Sequence, residues 1–187
     1  ANVHHLRAPV VPPAGNVLPE PEIHSRIVEA LGVIDPASLD DLKAVAAKGL
    51  DAFGPVFFGH MAMNPKHMRF APHILYRTLG PHLPDGAAAA AVYWGMAQRF
   101  AAANTAAVKR AGHVGEGLAL GNALFNAIVQ GRSGMVFAMD SFEESFARLD
   151  FEDHKIRLNV GEMLTEVDGL AAMQDVDRVA VFGYAHV

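Results

Sequence analysis

The stretch GAAAAAVYWGMAQRFAAANTAAVKRAG, residues 86–112, decides the fold class of this sequence. Asp85 stands directly before it, where a carboxylate can cap the first turn of a helix. Lys109 and Arg110 would lie at the negative end of the same helix. Because apolar residues occupy nearly every side of the stretch, we expect one long, central helix over about 87–110.

Shorter helices are predicted on both sides of this central helix. The first begins near residue 20, carries Ile23, Ile27 and Leu31 at a spacing of four residues, and ends at Gly32. Prolines divide the segment that precedes the central helix, so only short helices are expected there. The remaining helices are expected over about 36–54, 116–130, 140–149 and 161–173.

Strand patterns appear only after the sequence GRSG at 131–134. MVFAM at 135–139 is typical of a buried strand, and KIRLNV at 155–160 alternates like a strand with one buried face. RVAVFGY at 178–184 is a third candidate. We therefore expect a mostly α fold with a small C-terminal α/β part. It would be a multi-helix domain with a two- to three-stranded sheet confined to residues after about 131.

The chain of 187 residues is expected to be a single domain or a fragment of a longer protein. Residues 1–19 are rich in proline and would form an extended arm. Residues 20–130 would form the helical part and residues 131–187 the small α/β part. The first residue is not methionine and no signal-peptide core follows it, which favours a piece cut from a longer chain.

Composition narrows the classes of function. A formal net charge of −5 gives no basic surface for nucleic acid or anionic lipid, so neither partner is expected. The absence of cysteine excludes thiolate metal sites and iron–sulfur ligation by this chain. No run of residues is apolar enough for a membrane span. These features fit a cytoplasmic protein.

One histidine- and methionine-rich segment, HMAMNPKHMRFAPH at 60–73, is a candidate metal site. Imidazole and thioether ligands together suit a soft ion such as copper(I). His60, Met63 and His67 would share a face of a continuous helix, but Pro65 interrupts it. We therefore expect no metal here and keep these three residues only as weak candidates.

No other motif predicts catalysis. GEGLALG at 115–121 has some glycines of a dinucleotide-binding loop, but no strand precedes it and the spacing differs, so close helix packing explains it better. Glu143 and Glu144 fit the first turn of a capped helix. Ser133 lacks the flanking residues of a nucleophile elbow. We assign no catalytic residue, and the cofactor-binding residues stay unknown.

Three stretches in order resemble one family. HLRAPVVPPAGNVLPEPEIHSRIVEALG at 5–32 and GNALFNAIVQGRSGMVFAMDSFEESFARL at 121–149 resemble segments of the catalytic subunits of molybdopterin oxidoreductases. FEDHKIRLNVGEML at 151–164 stands where that family has the strand and helix before its C-terminal β-barrel domain. The resemblance covers about residues 2–170. It departs from the family at two turns, where FEDH replaces TPDG and NVG replaces a proline-containing helix start.

The resemblance implies a function for the intact enzyme. Such an enzyme binds molybdenum or tungsten through two molybdopterin guanine dinucleotides, often holds an iron–sulfur cluster, and transfers oxygen atoms or electron pairs. The segments that bind these cofactors lie outside the matched part, so the chain would be a non-catalytic scaffold whose partners are the remaining domains. Two alternatives stay open: a stand-alone helical binding module and a carrier that binds metal through histidine and methionine.

The tail DVDRVAVFGYAHV at 175–187 departs from this family and resembles a strand of oxygen-independent coproporphyrinogen oxidases. A fusion, an artificial chain boundary and a coincidence all remain open for it. In the long helix, apolar side chains point in too many directions for one small core, and these are Tyr93, Trp94, Met96, Ala97 and Phe100. Unpartnered apolar faces favour association, so a homodimer is also expected.

Overall fold

The computed structural model of the protein describes residues 2–7, 11, 14–147, 149, 151–153, 155–156 and 160–171. These residues are mostly α-helical with one two-stranded antiparallel sheet, which confirms the expected fold class. They fall into two compact units, with the division after Ser141. The predicted strand over 178–184 and the tail at 175–187 lie outside the described residues. No helix in the described part is long and apolar enough to cross a bilayer.

Seven helices and the sheet are described in the first unit. The helices are α1 (Glu20–Leu31), α2 (Asp40–Ala46), α3 (Leu50–Met63), α4 (Ala71–Thr78), α5 (Val92–Ala103), α6 (Thr105–Arg110) and α7 (Leu118–Gln130). The strands are β1 (Asn2–His4) and β2 (Met135–Ala138). Single 3-10 turns cover Pro36–Leu39, Pro65–Phe70, Gly80–His82 and Ala88–Ala91.

The predicted continuous helix over 87–110 is wrong, because the chain forms a 3-10 turn, α5 and α6 there. The break between α5 and α6 is at Asn104, whose backbone leaves the helical region at φ −129°. Its side-chain amide donates to the carbonyl of Phe100, and the Thr105 hydroxyl donates to the carbonyl of Ala101. Asn and Thr side chains compete in this way with the helix backbone, which the apolar pattern alone does not reveal.

The segment around Gly49 and Pro55 also differs from the prediction. The expected helix over 36–54 is divided at Gly49, whose φ of 101° is accessible to glycine and strained for other residues. The next helix, α3, then continues through Pro55 for 14 residues, although only short helices were expected among these prolines. Burial of Phe53, Phe57 and Met61 on one side of α3 offsets the lost backbone hydrogen bond.

The sheet differs from the prediction in its partner strand. β2 forms where a strand was expected, but it pairs with β1 in the N-terminal arm, with Val3 opposite Val136 and His4 opposite Met135. The expectation that the sheet is confined to residues after about 131 is therefore wrong. An alternating pattern identifies a strand but not its partner, and three residues are too few to show a pattern of their own.

The core of the first unit surrounds Trp94 on α5. Its ring packs edge-on against Phe53 and Phe57 of α3, with ring centroids 5.2 Å apart in both pairs. Leu120, Leu124 and Ile128, which recur every four residues on α7, are buried. Trp94 is fully buried and Ala97 almost fully buried, so the expectation that these two residues lack an internal partner is wrong.

The second unit contains α8 (Phe142–Ala147) and α9 (Gly161–Ala171), close to the helices expected there. The strand expected over 155–160 is not formed at Lys155, Ile156 or Val160, and residues 157–159 lie outside the described residues. Within α9, residues 161–170 are all exposed.

Candidate functional site

Two of the three candidate metal ligands meet in the structure. His60 is buried near the end of α3, and the 3-10 turn Pro65–Phe70 folds the chain back so that His67 reaches it. Nε2 of His60 lies 2.9 Å from Nδ1 of His67, and one ring donates a hydrogen bond to the other. The interruption at Pro65 thus brings the two rings together, where we expected it to separate them. We call His60 and His67 the histidine pair.

Met63, the third candidate, is 78% exposed at the end of α3. Burial lowers the pKa of His60, and the neighbouring His67 lowers it further, which favours the neutral imidazole. Within the described residues, no group of three or more His, Asp or Glu side chains is placed to hold a metal ion. The pair is therefore a two-ligand arrangement.

His73, at the end of the same sequence segment, lies elsewhere. It is buried on α4 beside a cleft of about 140 Å³ that Glu29 and Arg77 also line. Burial lowers its pKa, the charge of Glu29 opposes that shift, and Arg77 adds to it. Among the described residues, no group hydrogen-bonds to its Nδ1 atom. The structure therefore separates His73 from the histidine pair.

The other sequence motifs have structural roles. Part of GEGLALG precedes α7 and the rest forms its first turns, and a Cβ at Gly121 would overlap the amide end of Gln98 on α5. This confirms close helix packing at Gly121. Glu143 and Glu144 lie in the first turn of α8, as expected. Ser133 is exposed in the turn before β2.

A buried polar network joins α3, α5 and α7. Oδ1 of Asn122 accepts hydrogen bonds from Nε1 of Trp94 at 2.9 Å and from Nε2 of Gln98 at 2.7 Å. Its Nδ2 donates to Oδ1 of Asp51 at 2.8 Å. The carbonyl oxygen of Asn122 and one of its two amide hydrogens thus have hydrogen-bond partners. The sequence patterns did not predict this network, although amide residues inside apolar helices were a visible signal.

Ion pairs join α1 to α4. The guanidinium of Arg77 donates to Glu22 at 2.6 and 3.3 Å and to Glu29 at 2.6 and 3.1 Å. Arg26 donates to Glu22 at 2.7 Å. The hydrogen bond from Arg77, followed by that from Arg26, lowers the pKa of Glu22 to about 2. Burial raises the pKa of Tyr76 beside them, and the charge of Glu22 raises it further.

The opposite face of α1 carries an apolar stripe. Ile23, Ile27 and Leu31 are 45%, 55% and 64% exposed, and Val33 just beyond the helix is 45% exposed. We call Ile23, Ile27 and Leu31 the α1 stripe. The spacing predicted a helix correctly, but the residues buried against the rest of the unit are Ser25 and part of Val28.

An open apolar groove of about 530 Å³ lies between α5, α7 and the sheet. Phe100 and Phe137 pack edge-on within it at a centroid distance of 5.2 Å, and Met96 is 62% exposed. We call this space the groove. It is lined by His4, Tyr93, Met96, Ala97, Arg99, Phe100, Ala103, Asn104, Leu124, Ile128 and Phe137.

No protein-family model, curated protein or solved structure matches this chain significantly.

Proposed function

We propose that this chain is a scaffold portion of a cytoplasmic molybdopterin-dependent oxidoreductase. In the intact enzyme, molybdenum or tungsten held by two molybdopterin guanine dinucleotides would supply oxygen-atom or electron-pair transfer, often alongside an iron–sulfur cluster. The chain itself contributes no catalytic residue. The ordered resemblance of residues 5–32, 121–149 and 151–164 to the family supports this proposal.

The single observation that carries the proposal is the α1 stripe. A helix on the surface of a self-contained domain turns its apolar side inward and its charges outward. On α1 the carboxylates of Glu22 and Glu29 face α4. The apolar side chains of the α1 stripe face outward. An outward apolar stripe is expected of a helix that packs against a further domain.

The ion pairs fix which side of α1 is free. Arg77 pairs with Glu22 and Glu29, which lie about two turns apart on the same face of α1. Rotation of the helix would therefore break charge-assisted hydrogen bonds. The stripe is thus held outward rather than left there by loose packing. The remaining domains of the parent enzyme are the proposed partner, and a second copy of the chain is the alternative occupant.

The test is to purify the native protein from its source with an antibody raised against this chain. The native mass and the molybdenum and tungsten content are then measured. We expect an assembly much larger than 20.0 kDa that carries molybdenum or tungsten in proportion to the chain. A 20 kDa species without either metal would refute the proposal, and a metal-free dimer would favour self-association through the stripe.

The histidine pair favours a second candidate, a metal carrier. Two imidazole nitrogens 2.9 Å apart need only a modest separation to bind one soft ion, and Met63 is exposed one turn from His60. Titration of the chain with copper(I) tests it. Binding of one ion per chain that is lost in His67→Ala but kept in His82→Ala, an exposed histidine elsewhere, would support the carrier. Equal binding by both variants would exclude it.

A further inference from the structure

The walls of the groove are apolar over most of its length. Phe100 and Phe137 meet edge-on, the rings of His4 and Tyr93 lie 5.7 Å apart, and Met96 leaves most of its side chain accessible. Aromatic and methionine side chains form adaptable surfaces for apolar ligands. The groove is therefore chemically suited to an apolar body.

The size of the groove limits that body. A volume of about 530 Å³ lies within the range of small-molecule pockets, roughly 300–1,000 Å³. An alkyl chain of about ten carbons fits such a volume and remains partly open to water. A nucleotide or another strongly polar molecule would leave its polar groups unpaired against these walls.

One cation lies at the rim. Arg99 on α5 is exposed and lines the groove, and no acidic side chain of the described residues forms an ion pair with it. No Asp or Glu of the described part lines the groove either. An accessible guanidinium beside an apolar surface complements an anionic head attached to an apolar body.

We propose that the groove binds a medium-chain carboxylate, with its alkyl chain along Met96, Phe100 and Phe137 and its carboxylate paired with Arg99. This inference does not depend on the proposed scaffold function, because the α1 stripe is on a different helix. Packing of another domain on α1 and binding of a ligand between α5, α7 and the sheet can each be true alone.

The test is displacement of a fluorescent dansyl-labelled undecanoate from the full chain by decanoate, below the concentration at which decanoate self-associates. We expect one site per chain. We also expect 1-decanol and decylamine to compete about 5-fold or more weakly, because they cannot form the ion pair with Arg99.

Two pairs of variants locate the site. Arg99→Gln should weaken decanoate about 5-fold without changing the affinity for 1-decanol, whereas Arg69→Gln, at an exposed arginine outside the groove, should change neither. Met96→Gln should weaken both ligands, and Met63→Gln should weaken neither. All four positions are exposed, so folding should be retained and is checked by circular dichroism.

Three results would overturn the inference. These are absence of saturable decanoate binding, equal binding of decanoate and decylamine, and an unchanged decanoate affinity in Arg99→Gln. Sedimentation tests whether a second copy of the chain occupies the groove instead. A dimer that is dissociated by Met96→Gln but unaffected by decanoate would assign the groove to that second copy.

Discussion

The interface between α5 and α7 and the interface between α1 and α4 join helices of the same unit by different chemistry. At the first, Trp94 is fully buried, Gly121 brings the helices close, and Asn122 satisfies the polar groups between them. At the second, Arg77 and Glu22 form partly exposed ion pairs. The three residues of the α1 stripe are exposed.

The α5–α7 interface is thus a buried interior, whereas the α1 stripe is an apolar surface with no packing partner among the described residues. The α5–α7 interface has its apolar and polar groups matched within the chain, so it should determine the stability of the unit. The α1–α4 interface fixes an orientation by charge and should contribute less to stability. Substitutions at the two interfaces should therefore differ in size and in kind.

The largest effect is expected from Asn122→Ala. It leaves the indole nitrogen of Trp94 and the amide of Gln98 buried without their acceptor, and we expect the free energy of unfolding to fall by about 3 kcal/mol. Asn126→Ala, the same substitution at an exposed position of α7, should change it by less than about 0.5 kcal/mol. Urea unfolding measures both. Equal effects would show that the hydrogen bonds of Asn122 do not stabilise the α5–α7 interface.

The next effect concerns Gly121→Ala. Alanine favours a helix by about 1 kcal/mol over glycine, but its Cβ would displace Gln98 from its hydrogen bond to Asn122, so a net loss of about 2 kcal/mol is expected. In a Gln98→Ala background the same substitution should become neutral or stabilising. Gly59→Ala, at an open helical site in α3, should stabilise the wild type by up to about 1 kcal/mol. A loss at Gly121 that persists without Gln98 would contradict this packing.

A smaller, pH-dependent effect is expected at Glu22. Its pKa is about 2 in the folded chain and 4.5 ordinarily, so folding favours the ionised form. The stabilisation is present above about pH 4.5 and is lost as the pH falls toward 2. Glu22→Gln should lower the free energy of unfolding by about 1 kcal/mol at pH 7 and by less at pH 3. Glu20→Gln, at an 83% exposed side chain, should show no such difference.

The smallest effect on stability is expected at the α1 stripe. Ile27→Gln removes an exposed side chain, so unfolding should change by less than about 0.5 kcal/mol. Association of the chain with itself or with the rest of the parent enzyme should nevertheless weaken strongly. Sedimentation velocity of the wild type and of Ile27→Gln measures the strength of this association. Unchanged association in Ile27→Gln would show that the stripe is not a docking surface.

The sequence predicted the local secondary structure better than it predicted the contacts between residues distant in the chain. Helical spacing located α1 and α7, and the apolar run at 135–139 located β2, because these patterns depend on neighbouring residues. The pairing of β2 with β1 and the meeting of His60 with His67 depend on residues that no local pattern connects. The α1 stripe shows the same limit, since its spacing predicted a helix but not which side would be covered.

The most direct test of the account is the accessibility of Ile27. The chain has no cysteine, so Ile27→Cys and Met63→Cys each introduce a single reactive thiol into it. In the isolated chain both should react rapidly with a maleimide, since both positions are exposed. In the native assembly, with labelling read by mass spectrometry of each peptide, we expect Ile27→Cys to react at least about 10-fold more slowly relative to the isolated chain. An unchanged rate at Ile27→Cys would contradict the claim that the α1 stripe packs against a partner.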